Sequence, residues 1–294
     1  MADEIYRDHW FKTEDGLKIH ARLYGDDGAA QTIICLPGLT RNGRDFDKLA
    51  RRLIAGETRN VRVITIDSRG RGLSDQDTDE SRYTLPVETG DVLSVCAELG
   101  IGKAIFIGTS RGGLVLHLIA ALQPDLLGAV ILNDIGPVID IEGLRHIQDY
   151  LTRERLPPKT WSDAMASQKA DHAAAFPALA DDDWLELSTA LYREIDGDIR
   201  PDYDPVIAEQ MAAVDLSKPG RDLWPEFDGF GSIPMMVIRG ENSTLLSEAT
   251  VKAMAERHPG LECVTASGQG HPPLLHLEEI AAPIERFLQG VKHR

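Results

Sequence analysis

Residues 104–114 read Ala104-Ile-Phe-Ile-Gly108-Thr-Ser110-Arg-Gly112-Gly-Leu114, an apolar run followed by Gly-x-Ser-x-Gly and then by a second apolar segment. The first run predicts a buried strand over 104–107, and the second predicts a helix over 111–123. A sharp turn between a strand and a helix pushes a serine hydroxyl toward a base, and flanking glycines leave room for that turn. The pattern therefore predicts Ser110 as a nucleophile.

Short apolar runs bounded by turn residues recur on both sides of this segment. They are too short for helices and too continuous for half-exposed strands, which favours a parallel sheet covered on both faces. Helix-length segments at 45–55 and 86–99 separate them, so the sequence predicts an α/β fold with a mostly parallel, doubly wound sheet. An antiparallel hairpin is expected before it, around Glu14-Asp15-Gly16. The predicted parallel strands are 32–36, 61–66, 104–107, 129–132, 235–238 and 261–265.

The alternation of strands and helices stops after Asp134 and resumes at Met235. Helix-like patterns fill the interval, at 143–155, 160–175 and 181–196. We therefore predict a helical cap at 137–223, inserted into an α/β core formed by 1–136 and 224–294. The aromatic residues Trp161, Trp184 and Trp224 would either contact a substrate or pack the cap on the core.

The chain is acidic, with 31 Lys and Arg against 47 Asp and Glu and a formal net charge of −16. Residues 138–223 alone carry nine Lys and Arg against eighteen Asp and Glu. A solvated helix surface accounts for this local charge better than a charge-selective entrance does. Because a negative field repels a phosphate backbone or an anionic lipid surface, we expect a small-molecule substrate and no nucleic-acid or membrane partner.

The three cysteines, Cys35, Cys96 and Cys263, lie in apolar segments and lack metal-ligand spacing. We expect them to be reduced core residues. The Met-Ala-Asp-Glu start lacks the basic residues and the apolar run of a secretory signal, so the expected location is cytoplasmic. We see no phosphate loop, metal cluster or dinucleotide fingerprint in the sequence, so neither a metal nor another cofactor is expected.

Four motifs together resemble the α/β-hydrolase family with a cap. They are Leu36-Pro37-Gly38-Leu39, the segment 67–74 with Asp67-Ser-Arg69-Gly70, the Gly-x-Ser-x-Gly at 108–112, and Gly268-Gln-Gly270-His271. They occur in the family's order, and each follows a predicted strand. The segment 67–74 is better suited to a turn scaffold than to reacting groups, so we assign it a structural role.

An acyl-transfer site needs donors aimed at the oxyanion, and one of them is usually the backbone N–H after the nucleophile. Here that residue is Arg111, and the resemblance implies the N–H of Leu39 as the second donor. Imidazole is the side chain whose unperturbed pKa suits a base near neutral pH. Of nine histidines, His271 alone follows the final predicted strand in a Gly-rich loop. This is also where the family keeps its base.

The third residue of the triad should be a carboxylate that orients the imidazole and stabilises its cation. The resemblance places it after the strand at 235–238, where this chain has Ser243-Thr244, and neither hydroxyl can supply the charge. Asp134, after the strand at 129–132, is the preferred substitute, because some members of the fold place their acid there. Glu241 is the alternative, and a site without a functioning acid is a third. Asp134 could instead have a structural role, accepting hydrogen bonds from the backbone of 135–138.

These residues predict a serine hydrolase that cleaves a small, largely apolar carboxylic ester, thioester or lactone through an acyl-enzyme. The same residues would serve the hydrolysis of carbon–carbon bonds in ring-cleavage products, which is the nearest alternative reaction. A low-turnover ligand-binding protein on a hydrolase scaffold is an alternative of a different class, supported by Ser243-Thr244 at the usual acid position.

Overall fold

An eight-stranded sheet forms the centre of the computed structural model, which describes residues 5–56, 60–153, 156–218 and 220–291. The sheet strands are β1 (Tyr6–Lys12), β2 (Lys18–Tyr24), β3 (Gln31–Leu36), β4 (Val61–Ile66), β5 (Ala104–Thr109), β6 (Leu127–Asn133), β9 (Met235–Gly240) and β10 (Glu262–Ala266). A separate hairpin comprises β7 (Tyr192–Ile195) and β8 (Asp198–Pro201).

The order of strands across the sheet is β1-β2-β4-β3-β5-β6-β9-β10. β2 pairs antiparallel with β1 and with β4, and the other neighbours are parallel. The predicted antiparallel start and mostly parallel sheet are therefore confirmed. Because the carboxyl ends of parallel strands meet at one edge of a sheet, the segments that follow β3, β5, β6 and β9 converge there.

Ten α-helices and three short 3₁₀ helices lie between or after these strands within the described residues. The α-helices are α1 (Asp47–Ala55), α2 (Leu85–Glu98), α3 (Arg111–Leu122), α4 (Ile141–Thr152), α5 (Trp161–His172), α6 (Asp181–Leu191), α7 (Pro205–Ala212), α8 (Trp224–Asp228), α9 (Glu248–Arg257) and α10 (Glu278–Gly290). The 3₁₀ helices are Gly43–Phe46, Glu80–Arg82 and Pro124–Leu126.

Helices cover both faces of the sheet, as a doubly wound fold requires. Buried side chains of α2, α3 and α8 pack on one face, and those of α1 and α10 pack on the other. Every residue of β5 is buried, which explains its unbroken apolar sequence. No helix in the described ranges is both long and apolar enough to cross a bilayer.

Two details differ from the sequence predictions. The helix expected over 181–196 ends at Leu191, because Asp196 and Gly197 both adopt positive φ and form the two-residue turn of a β-hairpin. Cys35 and Cys96 are buried as predicted, but the prediction for Cys263 is wrong. Cys263 is exposed because it lies on β10, the last strand of the sheet, whose pairing is with β9 alone.

The interval between β6 and β9 holds helices α4 to α8 and the β7–β8 hairpin. Part of it has a small core of its own, in which Ala164 of α5 packs with Tyr192 and Ile199 of the hairpin. Trp184 packs edge-on against Phe176, with ring centroids 6.3 Å apart. The helical content expected for 137–223 is thus present, and its division from the core as a cap domain stays a prediction.

Because of His117 in α3, the stability of the folded protein should depend on pH. Its ring is fully buried beside Phe230, and its Nδ1–H donates to the carbonyl of Gly113 at 2.7 Å. Burial lowers the pKa of His117 to about 4, whereas an unfolded histidine titrates near 6.5. Between these pH values His117 is protonated in the unfolded chain but not in the folded chain. The stabilisation that neutral His117 gives the fold is therefore complete above about pH 6.5 and decreases as the pH falls toward 4.

We expect the stabilisation conferred by neutral His117 to shrink by about 2 kcal/mol as the pH falls from 7 to 4.5. Urea unfolding of the wild type and of His117→Leu at both pH values measures this change. The wild type should lose more stability than the variant on acidification. A difference between the two proteins that does not vary with pH would contradict the assignment.

Candidate active site

Ser110 lies in a strained turn between β5 and α3. Its φ is 49° and its ψ is −113°, a conformation that non-glycine residues rarely adopt. A Cβ at Gly108 would lie 2.7 Å from the backbone nitrogen of Gly113, and one at Gly112 would lie 2.2 Å from the carbonyl oxygen of Leu36. At both positions the neighbouring backbone leaves no room for a Cβ, so both flanking residues must be glycine.

His271 lies in the loop after β10 and reaches Ser110 from the far end of the chain. Its Nε2 is 3.0 Å from Ser110 Oγ, and its Nδ1 is 2.8 Å from Asp134 Oδ2. An ionised carboxylate can only accept hydrogen bonds, so Nδ1 carries the proton and Nε2 accepts from the serine hydroxyl. The arrangement can pass a proton from Ser110 to His271.

Asp134 follows β6 directly and is completely buried. Its Oδ1 accepts from the N–H of Gly240 at 2.9 Å, and its Oδ2 accepts from Ser243 Oγ at 2.6 Å as well as from His271. Ser243 lies where the resemblance to the family places the acid, and it donates instead to the carboxylate of Asp134, which follows the neighbouring strand β6. Sequence reasoning missed this role of Ser243, and no side chain or backbone group of 135–138 donates to Asp134 in the described structure.

Glu241 lies outside this arrangement. It is exposed, and its Oε2 accepts from the N–H of Gly268 at 2.7 Å and from Ser267 Oγ at 2.8 Å. These hydrogen bonds hold the pKa of Glu241 below its usual range. The structure does not join Glu241 to His271 by a hydrogen bond, and it instead ties Glu241 to the loop that carries His271.

The two expected oxyanion donors lie close to Ser110. A Cβ at Gly38 would lie 3.8 Å from Ser110 Cβ, so the loop that carries Leu39 passes beside the serine. Arg111 is the first residue of α3, where backbone N–H groups favour developing negative charge. Within the described residues, the backbone N–H groups of Leu39 and Arg111 donate to no other protein group. Both are available to an oxygen bound at Ser110.

A buried ion-pair network holds the two segments that carry these donors. Arg71 Nε donates to the carbonyl of Leu39 at 2.8 Å, and Arg71 Nη1 donates to Glu88 Oε1 at 2.8 Å. Arg111 Nε donates to Glu88 Oε2 at 2.7 Å. Burial raises the pKa of Glu88, but the attraction of the two guanidinium groups outweighs burial and holds the pKa below its usual value. The structural role predicted for 67–74 fits Arg71, whereas the part played by Glu88 was not predicted.

Glu88→Gln should destabilise the protein by about 3 to 5 kcal/mol, because it leaves two guanidinium groups without their buried partner. Urea unfolding at pH 7 measures the loss. Glu278→Gln is the matched control, because Glu278 is exposed and pairs with Arg52 at the surface. If the two variants lose similar, small amounts of stability, the network does not fix these segments.

Ser110 and His271 open into a cavity of about 670 Å³. Its lining mixes charged, polar and apolar side chains from the loop after β3 and from α4, α5 and α6. Among them, Tyr150 and His172 contact each other edge-on with ring centroids 5.3 Å apart. Neither this cavity nor a second one of about 290 Å³ is lined by Trp161, Trp184 or Trp224. Trp184 and Trp224 pack edge-on against Phe176 and Phe227, and Trp161 packs on the small core around Ala164, so the contacts of all three are packing contacts.

No group of three or more His, Cys, Asp or Glu side chains among the described residues is arranged to hold a metal ion. The site consists of a hydroxyl, an imidazole, a buried carboxylate and backbone donors.

The family model of the Alpha/beta hydrolase family matches residues 33–283. This chain belongs to that family. The 3-hydroxybutyrate-oligomer hydrolase of Cupriavidus necator is 31% identical over 264 residues, covering 85% of each chain. The 2-(acetamidomethylene)succinate hydrolase of Mesorhizobium japonicum is 27% identical over 272 residues, covering 92% of each chain. A crystal structure of an alpha/beta hydrolase from Novosphingobium aromaticivorans superimposes with a TM-score of 0.89 at 38% identity, covering 97% of this chain and 98% of that one. The resemblance inferred from the four motifs is confirmed, and the chain is an enzyme of the hydrolase class.

Proposed function

We propose that this α/β-hydrolase cleaves a small, largely apolar carboxylic ester, thioester or lactone through an acyl-enzyme on Ser110. The observation that carries the proposal is the continuous hydrogen-bonded line from Ser110 Oγ through His271 to the buried carboxylate of Asp134, with separations of 3.0 and 2.8 Å. A serine hydroxyl is a weak nucleophile on its own, and an adjacent base oriented by a third group activates it.

In the proposed reaction, Ser110 Oγ attacks the carbonyl carbon while His271 Nε2 takes the hydroxyl proton. The N–H groups of Leu39 and Arg111 stabilise the resulting oxyanion. The tetrahedral intermediate collapses, the bond to the leaving group breaks, and His271 returns the proton to the leaving oxygen or sulfur. Water then attacks the acyl-enzyme by the same sequence of steps and releases the carboxylic acid.

The charge of Asp134 matters when His271 becomes protonated. Because Asp134 is buried and accepts three hydrogen bonds, it is held in place and can stabilise the imidazolium without reorganising. We therefore assign Asp134, rather than Glu241, as the acid of the proposed triad.

The similarity to a 3-hydroxybutyrate-oligomer hydrolase favours esters over thioesters and lactones as substrates. A relative covering 85% of the chain is named for hydrolysing 3-hydroxybutyrate oligomers, and hydroxy acids in such oligomers are joined by ester linkages. Esters of hydroxy acids therefore belong in the substrate set to be tested.

The test is hydrolysis of 4-nitrophenyl acetate, an acyl thioester, a lactone and 3-hydroxybutyrate oligomers, together with labelling by a fluorophosphonate probe. We expect turnover of at least one ester and labelling of the wild-type protein. Tight binding of an ester with neither turnover nor labelling would instead support a ligand-binding protein on a hydrolase scaffold.

A further inference from the structure

Two cavities meet at Ser110 and differ in what else lines them. Leu39, Ser110, Ile147 and Leu245 line both. His271 lines the cavity of about 670 Å³ but not the cavity of about 290 Å³, and Arg111 lines only the smaller one. His271 and Arg111 thus line different cavities, and Ser110 lines both.

The surface of the smaller cavity is mostly apolar. Aliphatic side chains of α4 and α7 and of the segment after β6 contribute most of its wall: Ile135, Ile139, Leu144, Ile147, Ile207 and Met211. A cavity of about 150 Å³ with such a lining binds benzene, so a cavity of about 290 Å³ has room for a hydrocarbon chain.

The polar residues at this wall have their polar groups engaged elsewhere. Tyr83 donates its hydroxyl to Asp204 Oδ2 at 2.6 Å, and Gln210 Nε2 donates to the carbonyl of Glu80 at 2.6 Å. The guanidinium of Arg111 is held by Glu88. Arg71 Nη2 has no hydrogen-bond partner, but Arg71 is only 1% exposed and offers the cavity almost no polar surface. The occupant this wall suits is a hydrocarbon.

The chemistry of the leaving group decides which part of an ester enters which cavity. The leaving oxygen must receive its proton from His271 Nε2, so the alcohol must extend on the side of His271, which is the larger cavity. The acyl chain leaves the carbonyl carbon in a different direction from the leaving oxygen. A second space that opens at Ser110 is the smaller cavity, beside Leu39 and Arg111.

We propose, resting on the function proposed above, that the smaller cavity binds the acyl chain and the larger cavity binds the alcohol. The substrate class is then an ester of an unbranched or lightly branched apolar acid of about six to eight carbons. Its alcohol can carry a polar group, since the larger cavity offers charged and polar side chains. When the acyl-oxygen bond breaks, the proton from His271 leaves with the alcohol through the larger cavity, and the acyl chain stays in the smaller one until water releases it.

The experiment compares two substitutions of the same kind in two helices that pack on each other. Met211 of α7 lines only the smaller cavity, and Leu151 of α4 lines only the larger one. Both side chains are half-buried, so Met211→Trp and Leu151→Trp should be tolerated similarly. Values of kcat/KM are measured for 4-nitrophenyl acetate and octanoate and for 2-naphthyl octanoate, and thermal melting checks folding.

In the wild type, kcat/KM for the octanoate should exceed that for the acetate by about 10-fold or more, since each methylene buried in an apolar pocket adds binding energy. Met211→Trp should lower the octanoate-to-acetate ratio by about 10-fold. Leu151→Trp should leave the octanoate-to-acetate ratio of kcat/KM unchanged. It should lower the ratio of kcat/KM for 2-naphthyl octanoate to that for 4-nitrophenyl octanoate. If Met211→Trp fails to fold, Met211→Phe replaces it in the same comparison.

Two results would overturn the assignment while leaving the proposed function intact. One is Ser110-dependent turnover in which the acetate is preferred over the octanoate by the wild type. The other is a reversal, in which Met211→Trp changes the naphthyl-to-nitrophenyl ratio and Leu151→Trp changes the acyl ratio. Absence of both ester turnover and fluorophosphonate labelling would reject the proposed function, and this assignment with it.

Discussion

Ser110→Ala is expected to lower kcat for ester hydrolysis by about 10⁶-fold, to a residual rate that only the backbone donors and substrate binding support. The substitution removes the oxygen that forms the acyl-enzyme and leaves His271 without the proton it accepts. Ser110 makes no side-chain hydrogen bond other than the one to His271 among the described contacts, so the fold should be retained.

Steady-state kinetics with 4-nitrophenyl acetate measure the loss. Ser94→Ala is the matched control, since Ser94 is a partly exposed serine of α2 whose hydroxyl donates to the carbonyl of Gly90. The control should keep the wild-type rate. If Ser110→Ala retained more than about one hundredth of the wild-type kcat, the serine would not be the nucleophile.

Asp134→Asn is expected to lower kcat by about 10² to 10⁴, with the fold intact. An amide in place of the carboxylate can donate to His271 Nδ1, which then loses its proton to Nε2. His271 in that tautomer presents an N–H to Ser110 and cannot act as its base. The loss of negative charge also removes the stabilisation of the imidazolium.

Glu241→Gln is the control that separates the role of Asp134 from a general effect of removing a negative charge near the loop that carries His271. Glu241 accepts hydrogen bonds from Ser267 and Gly268, and a glutamine side chain can accept both. The kcat of the Glu241→Gln variant should therefore stay within about twofold of the wild-type value. Stopped-flow or steady-state rates of both variants give the comparison. An unchanged rate in Asp134→Asn together with a large loss in Glu241→Gln would reverse the assignment of the acid.

Much of the architecture was predictable because its causes are local. The Gly-x-Ser-x-Gly segment encodes a strand, a turn and a helix within eleven residues, and both glycines lie where a Cβ has no space. The position of His271 followed from its place after the last strand. Asp134 could be preferred over Glu241 because some members of the fold place their acid after the strand that precedes Asp134. The structure brings the carboxylate of Asp134 to 2.8 Å from His271.

Features that depend on which strands are neighbours were not predictable from local patterns. Ser243 meets Asp134 only because β6 and β9 are adjacent, although 109 residues separate the two in sequence. The pairing of Glu88 with both Arg71 and Arg111 similarly joins three separate segments. The exposure of Cys263 follows from the position of β10 at the end of the sheet, and the wall of the smaller cavity depends on how α7 packs against α4.

Peptide mass spectrometry that locates the covalent adduct of a fluorophosphonate probe tests directly whether Ser110 is the nucleophile. We expect one added phosphonyl group per chain, carried by Ser110, with little labelling of the Asp134→Asn variant over the same time. An adduct on another residue, or full esterase activity in protein whose Ser110 is quantitatively phosphonylated, would contradict this assignment.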